Sequence, residues 1–547
     1  MNLSKIKQKM FSSYSFIFLL FGGAFFIKSL PGLLDPYFST GDQAQHIFWV
    51  YKFQDSELFL NNYIADFFSF GNFDAPGFIF LFHITKSIID PLLLSKLLAP
   101  ILVGVSVIYL YKLVDFLAGR TAASVATVLF ICNCLLLDHA NLFKDGLPRN
   151  FSYPLLLSFL YYVVKRNNAK ALLSLVAQSL FYPPIFLSSA AFWSLSCLRK
   201  GIFQALRNSK ILILGFIISG SIVLYFSVLG SNSLTTFITL DEAKNMAELG
   251  PNGRSKFFED NIFDYVYKES RAGLNLINIE LYLWLLLPIL FVVRSKTFRV
   301  NRIVYDIIIS SLMLYLLAHL ILFSLYLPSR YVIYSLPIAF NLLIAFNFMP
   351  FIEGIKTRYG IDVIHKINAN IKILFGLIIG STFVLAIHQV SVRPDQEKIE
   401  IYNFFKKLPK DVLIAGYPYD MNSIPLFSKR NVLISQEHAL PYYKDYYSQM
   451  RDRTLDFFKA YYSNNALEII DFCEHYAVDY LLINKGIFEK NFINGRIYYS
   501  PFNEYAKQVI EKNKNFFLAD SKNYKSVFDT ENYSIIQCEA ASLRVSK

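Results

Sequence analysis

Charge is scarce in this chain. Only 17% of its 547 residues are Asp, Glu, Lys or Arg, against about a quarter in a soluble globular protein. Cysteine is rarer, five in all. Cys132 and Cys134 lie two apart in an apolar run, and helical neighbours at that spacing do not face each other. No His or Cys cluster has zinc spacing. No glycine-rich loop follows a strand-like run, which argues against a nucleotide site. The opening "MNLSKIKQKM" and the apolar "FSSYSFIFLLFGGAFFI" are not followed by a small-x-small cleavage site. That segment reads as a retained first helix.

Apolar sequence is abundant: 54% of residues are hydrophobic and 17% aromatic, with a mean hydropathy of +0.38. Segments of roughly 20 apolar residues, the length a helix needs to cross a bilayer, recur along the chain. Spans are expected at about 12–30, 94–112, 121–137, 151–164, 171–183, 185–198, 210–229, 279–294, 303–326, 331–350 and 371–390. Pro183 and Pro184 break two short spans apart, because proline removes a helix donor and clashes with the preceding turn. The segment 76–94, apolar but carrying His83, Lys86 and Asp90, reads as one interfacial helix.

The net charge of +12 does not point to nucleic acid, since no single basic face is visible. Lys and Arg cluster instead in short loops: Lys5, Lys7 and Lys9; Lys112 and Arg120; Lys165, Arg166 and Lys170; Arg199, Lys200 and Arg207; Arg294, Lys296, Arg299 and Arg302; Lys356, Arg358, Lys366 and Lys372. Eleven spans with a cytoplasmic N-terminus put every one of these loops on the cytoplasmic side, as the positive-inside rule requires. The expected fold class is thus a polytopic α-helical membrane protein of about eleven spans in the inner (plasma) membrane. Residues 1–391 form the membrane domain, and residues 392–547 an extracytoplasmic α/β domain.

That tail alternates strand-like runs ("DVLIAGYP", "NVLISQE", "DYLLINKG", "NFFLADS", "KSVFD", "YSIIQCE") with the helical "NNALEIIDFCEHY" and "NEYAKQVIEKN". Cys473 and Cys538 share it, and nothing in the sequence demands that they pair.

The sidedness places all irregular polar sequence on the outward face: loop 31–93, "DHANLFKDGLPRN", "FYPPIF", loop 230–278, "YLPSRY" and the tail. The first loop holds "STGDQAQHIFW". If a helix starts near Gly41, Asp42 lies in its first turn, where a carboxylate is favoured, and His46 shares its face. An ionised aspartate can take a proton from an acceptor hydroxyl or orient it. Arg149, Arg254 and Arg330 fall on the same side, and guanidinium suits bidentate capture of phosphate. Lys144 and Lys256 lie beside two of them. His83, His319 and His388 are isolated, and His319 reads as a satisfied interior histidine.

The pattern of one span, an acidic outward loop with interfacial helices, many further spans and an outward C-terminal domain resembles the GT-C glycosyltransferases along the whole chain. The segments "GDQAQHIFW", "GLPRNFSYPL", "FYPPIFL", "GPNGRSKFF" and "LYLPSRY" carry the resemblance locally. It implies a membrane glycosyltransferase that moves a sugar from a polyprenyl-phosphate donor to a glycan, lipid or protein acceptor, with inversion. Asp42 would be the general base. Arg149, Arg254 and Arg330 would neutralise the leaving phosphate, with His46, Lys144 and Tyr331 as further substrate-binding residues. "GDQ" stands where metal-dependent members carry an acidic pair, so a divalent cation (Mg or Mn) bridging Asp42 and a phosphate stays open. The WWD-type acceptor motif of oligosaccharyltransferases is missing, which argues against asparagine glycosylation. The alternatives are a transporter or flippase of lipid-linked saccharides, an O-antigen polymerase or ligase, and a non-catalytic scaffold. A transporter would commonly show an internal repeat, and none is visible.

Overall fold

The computed structural model describes residues 14–70, 73–137, 141–200, 209–229, 233–268, 270–293, 298, 300–325, 327–359, 380 and 395–543. Ten of the expected spans coincide with helices: Tyr14–Lys28, Pro91–Ala118, Arg120–Leu137, Ser152–Val164, Asn168–Phe181, Pro183–Lys200, Lys210–Leu224, Glu280–Val292, Arg302–Leu320 and Ser335–Tyr359. The span expected at 371–390, apart from residue 380, lies outside the described residues. So do the basic groups at Lys5, Lys7, Lys9, Lys366 and Lys372. By length and composition, four helices among the described residues are fit to cross a bilayer: Pro91–Ala118, Lys210–Ser227, Arg302–Leu320 and Pro328–Ile355. Phe18, Leu19, Ile217, Trp284, Phe291 and Leu320 are exposed on the bundle. An apolar surface of that kind is one that lipid would cover.

Local chemistry explains the breaks. Asn168–Phe181 stops at Tyr182, and the next helix begins at Pro183, as the proline pair requires. The single helix expected over 76–94 is corrected. Pro76–Thr85 ends, and Asp90 then caps Pro91–Ala118 by accepting from the Leu93 amide at 3.1 Å. An aspartate before a proline at the first helical position is a strong start signal, and it outweighs the apolar continuity.

The C-terminal part holds a five-stranded sheet in the order β2-β1-β3-β5-β4, formed by Leu413–Gly416 (β1), Asn431–Val432 (β2), Tyr480–Asn484 (β3), Phe528–Asp529 (β4) and Tyr533–Gln537 (β5). β1 runs parallel to β2 and β3, while β5 is antiparallel to β3 and β4. The expected strand at "NFFLADS" is a 3-10 turn, Phe517–Ala519, with the Phe517 amide donating to Ser463 O at 2.8 Å instead of to a strand. Lys444–Tyr461 is a helix that no strand-and-helix alternation announced. Cys473 and Cys538 form a disulfide.

Two cores result. One fills the helix bundle. The other joins the first loop to the C-terminal part in a single cluster. There Phe67 stacks on Tyr446 with ring centroids 3.8 Å apart, and Phe48 meets His438 edge-on at 4.8 Å. Residues 236–238 add backbone links: the Ile238 amide donates to Tyr442 O at 3.0 Å and the Lys444 amide to Thr236 O at 2.8 Å. Three segments, far apart in sequence, are thereby fixed against one another.

Candidate active site

Asp42 lies in the first turn of the helix Gly41–Ile47. Thr40 caps this helix in a reciprocal box. Its Oγ1 accepts from the Gln43 amide at 3.0 Å, and the Thr40 amide donates to Gln43 Oε1 at 3.1 Å. Such a box satisfies two donors that a helix start leaves orphaned. The Gln43 amide nitrogen then donates to Ser95 Oγ at 3.0 Å and Lys144 O at 3.3 Å. The turn is thereby tied to the loop that carries Arg149. Gly146 lets that loop sit tight, since a Cβ there would lie 2.4 Å from Ser95 O.

Two of the expected site residues, Asp42 and Arg149, lie in direct contact. Arg149 Nη2 lies 2.7 Å from Asp42 Oδ2 and 2.9 Å from Asp145 Oδ2, and Thr40 Oγ1 donates to Asp145 Oδ2 at 3.1 Å. One guanidinium therefore serves two carboxylates. Burial alone would raise the Asp42 pKa, but Arg149 and His46 outweigh it and hold the group well below the usual carboxylate range. Asp145 goes the other way. Burial pushes it up to about 6, with the Asp42 charge adding to the rise against the pull of Arg149. Arg149 Nε is buried without a hydrogen-bond acceptor among the described residues.

His46 points to a different partner. Its Nδ1 lies 2.6 Å from Asp74 Oδ1, and the Asp74 side chain is wholly buried. Burial lowers the imidazole pKa, yet Asp74 and Asp42 more than offset this and leave it raised.

Arg254 is committed to the C-terminal part. Its Nε donates to Gln436 O at 2.5 Å and its Nη2 to Glu437 O at 2.7 Å, with Glu437 Oε2 at 3.5 Å. The Gln45 amide nitrogen donates to Glu437 O at 2.5 Å, and the Glu437 amide donates to Asn422 Oδ1 at 2.9 Å. The backbone at Glu437 is pinned from several sides. Its carboxyl reaches the Asp42 turn, where a Cβ on Gly41 would sit 2.7 Å from Glu437 Oε1. Burial raises the Glu437 pKa, Arg254 opposes this, and Asp42 reinforces it. His438, next along, is driven down to about 3 by burial and the nearby Arg254, and is a neutral packing group.

The remaining expected residues lie as follows. Arg330 is in the 3-10 turn Pro328–Tyr331, whose Ser329 amide donates to Arg271 O at 3.4 Å. Arg271 acts electrostatically on Asp42 and Glu437. Tyr331 is buried with its hydroxyl donated to Leu325 O at 2.8 Å. Lys144 is buried beside the Gln43 contact. His319 pairs with the Tyr265 hydroxyl and with Tyr315 O. Asp145, Asp74, Glu437 and Arg271 were missed. Asp145 had a legible signal, four residues before Arg149 in the same quoted segment.

Asp42 Oδ2 is taken by Arg149. Among the described residues no three His, Cys, Asp or Glu side chains gather as a metal-holding group.

No protein-family model and no curated protein matches the chain. Solved structures do match it. The crystal structure of an Archaeoglobus fulgidus oligosaccharyltransferase tethered to an acceptor peptide superposes with a TM-score of 0.53 at 11% identity, over 92% of this chain and 72% of that one. The archaeal oligosaccharyltransferase AglB from the same organism, with an inhibitory peptide and a dolichol-phosphate, gives 0.52 at 11% identity, over 96% and 75%. ArnT from Cupriavidus metallidurans in the apo state gives 0.54 at 9% identity, over 96% and 98%. These neighbours are GT-C glycosyltransferases, and this chain has the fold they share.

Proposed function

We propose that the chain is an integral-membrane glycosyltransferase that moves a sugar from a polyprenyl-phosphate donor to an acceptor on the outer face of the membrane, with its N-terminus cytoplasmic and residues 392–547 extracytoplasmic. The observation that carries this reading is the Asp42–Arg149 contact of 2.7 Å, set in a fold shared with a protein that binds a dolichol-phosphate.

The chemistry follows from charge. Asp42 is ionised throughout the working pH range and accepts a hydrogen bond from the acceptor hydroxyl. While Arg149 grips it, it is a poor proton acceptor. A lipid phosphate arriving at Arg149 competes for the guanidinium and makes Asp42 more basic as the donor binds. The hydroxyl oxygen then attacks the anomeric carbon, the bond to the lipid phosphate breaks, and the hydroxyl proton passes to Asp42. Arg149 stabilises the leaving phosphate; donors aimed at developing charge are commonly the largest catalytic factor. Arg271 adds positive charge near Asp42, and Arg254 holds the C-terminal wall in place. No step is routed through a cation.

The test is sugar transfer from radiolabelled polyprenyl-phosphate sugars by the purified full chain in detergent, wild type against Asp42→Asn. The variant should lose about 100-fold or more in rate while keeping its elution profile. Undiminished transfer would remove Asp42 from the role assigned. Absence of transfer with any lipid-linked donor, together with saccharide flux in liposomes, would replace the reading with transport.

A further inference from the structure

A cleft of about 240 Å³ opens on the far flank of the Arg254–Glu437 contact. Three segments make its walls. Arg254 comes from residues 230–278, Tyr419 and Gln436 from the loops that follow β1 and β2, and Arg496 and Tyr498 from the turn before the helix Phe502–Lys512. Its lining contains two guanidiniums and no carboxylate. Arg496 is held at the rim by two neutral carbonyls, Nε on Tyr498 O at 3.0 Å and Nη2 on Asn252 O at 2.6 Å. These contacts fix its plane without cancelling its charge. Tyr419 is 47% exposed and stands edge-on to Tyr498 with centroids 5.3 Å apart. Both arginines act electrostatically on its hydroxyl.

These features define a ligand. Fixed guanidiniums recognise a carboxylate or phosphate. A half-exposed tyrosine offers an apolar face with a polar tip, suited to the face of a pyranose ring with hydroxyls at its edge. The volume is below the roughly 300–1,000 Å³ of pockets that hold drug-sized ligands, so the cleft takes a single ring.

We infer that the cleft is a subsite for one anionic sugar unit, a uronate or a phosphorylated hexose, with Arg496 reading the charge, Arg254 fixing the wall beside it through its Glu437 pair, and Tyr419 covering the ring. Resting on the glycosyltransferase reading above, this unit belongs to the acceptor. Arg254 lines the cleft and contacts Glu437, whose carboxyl reaches the Asp42 turn, so on this reading a ring seated there places a neighbouring unit of the same saccharide toward the carboxylate. The acceptor is thereby assigned to the acidic saccharides.

Direct binding tests this apart from catalysis. The purified full chain in detergent is titrated by calorimetry and by saturation-transfer NMR with digalacturonate, glucose 6-phosphate and maltose. One or both anionic sugars should bind at least tenfold more tightly than maltose, and which of them does identifies the anion. Affinity should weaken as salt rises. Tyr419→Ala and Arg496→Gln should each lower it at least tenfold. The Tyr419 hydroxyl makes no hydrogen bond among the described residues, so Tyr419→Ala reports on the cleft even if Arg496→Gln loosens residues 252–254. Equal binding of maltose would overturn the anionic class. No binding of any sugar, or binding untouched by Tyr419→Ala, would overturn the site. Binding that persists in a chain with no transfer activity would sink the proposed enzyme and leave the cleft standing.

Discussion

Replacing Asp145 by asparagine separates a structural carboxyl from a reactive one. Asp145 is wholly buried, shares Arg149 with Asp42 and titrates near 6 instead of 3.8. Its folded-state pKa is raised, so the folded protein binds this proton more tightly than the unfolded chain does. The stability it contributes is complete below pH 3.8 and declines as pH rises toward 6. A rise of about two units corresponds to at most about 3 kcal/mol, lost in full once the pH passes the folded value. Asparagine removes the titration and keeps the shape. The difference in stability between Asp145→Asn and wild type should therefore move in favour of the variant between pH 4.5 and 7.5, by up to about 2 kcal/mol. Urea or thermal unfolding in detergent at several pH values, followed by tyrosine and tryptophan fluorescence, measures it. Asp42→Asn provides the opposite sign. The Asp42 pKa is depressed, so its contribution is present above the ordinary carboxylate range and vanishes only as pH falls below it. Parallel pH profiles for wild type and Asp145→Asn would refute the view that the two acids divide one guanidinium unequally.

Three other outcomes are expected. His46→Ala leaves the buried Asp74 without its partner and should cost about 3–5 kcal/mol; since the imidazole pKa is raised, the penalty is full at pH 5.5 and shrinks as pH climbs through the folded value, which thermal midpoints at pH 5.5 and 8.5 will register. Arg149→Ala should cut sugar transfer about 100- to 1000-fold, and Arg149→Lys should restore only part, because the guanidinium is missing; initial rates decide this. Reduction of the Cys473–Cys538 bridge, which spans 65 residues, should destabilise the C-terminal part by about 4 kcal/mol, seen as a lower melting midpoint that Cys473→Ser reproduces.

The bundle was legible because lipid-length apolar runs and prolines mark helix ends in one dimension. The Pro183–Pro184 break fell where it was expected. The break at Asp90–Pro91 carried an equally plain capping signal, hidden by the apolar residues on both sides. Asp42 and Arg149 stood out as candidates on one face by residue type and sidedness, without any expectation that they touch. Glu437 did not, because its role depends on Arg254 and Gln45 reaching across nearly 200 and 400 residues of chain. No local pattern encodes such a clamp. The helix Lys444–Tyr461 escaped notice for a related reason. Its buried face is built from Tyr446, Tyr447, Met450, Thr454 and Phe457, and tyrosine and threonine weaken the apolar stripe on which helix recognition depends.

The stacking of Phe67 on Tyr446 has a consequence for traffic through the molecule. A tail joined to the first loop by aromatic rings is braced at that contact, and under the proposed function the lipid and the acceptor would have to reach Asp42 past it. A chain cut at residue 391 would not be a smaller, simpler machine. It would bare the rings of the 48–68 stretch to water and strip Gly41 and Gln45 of the wall they lean on, and the carboxylate would lose its setting along with its cover.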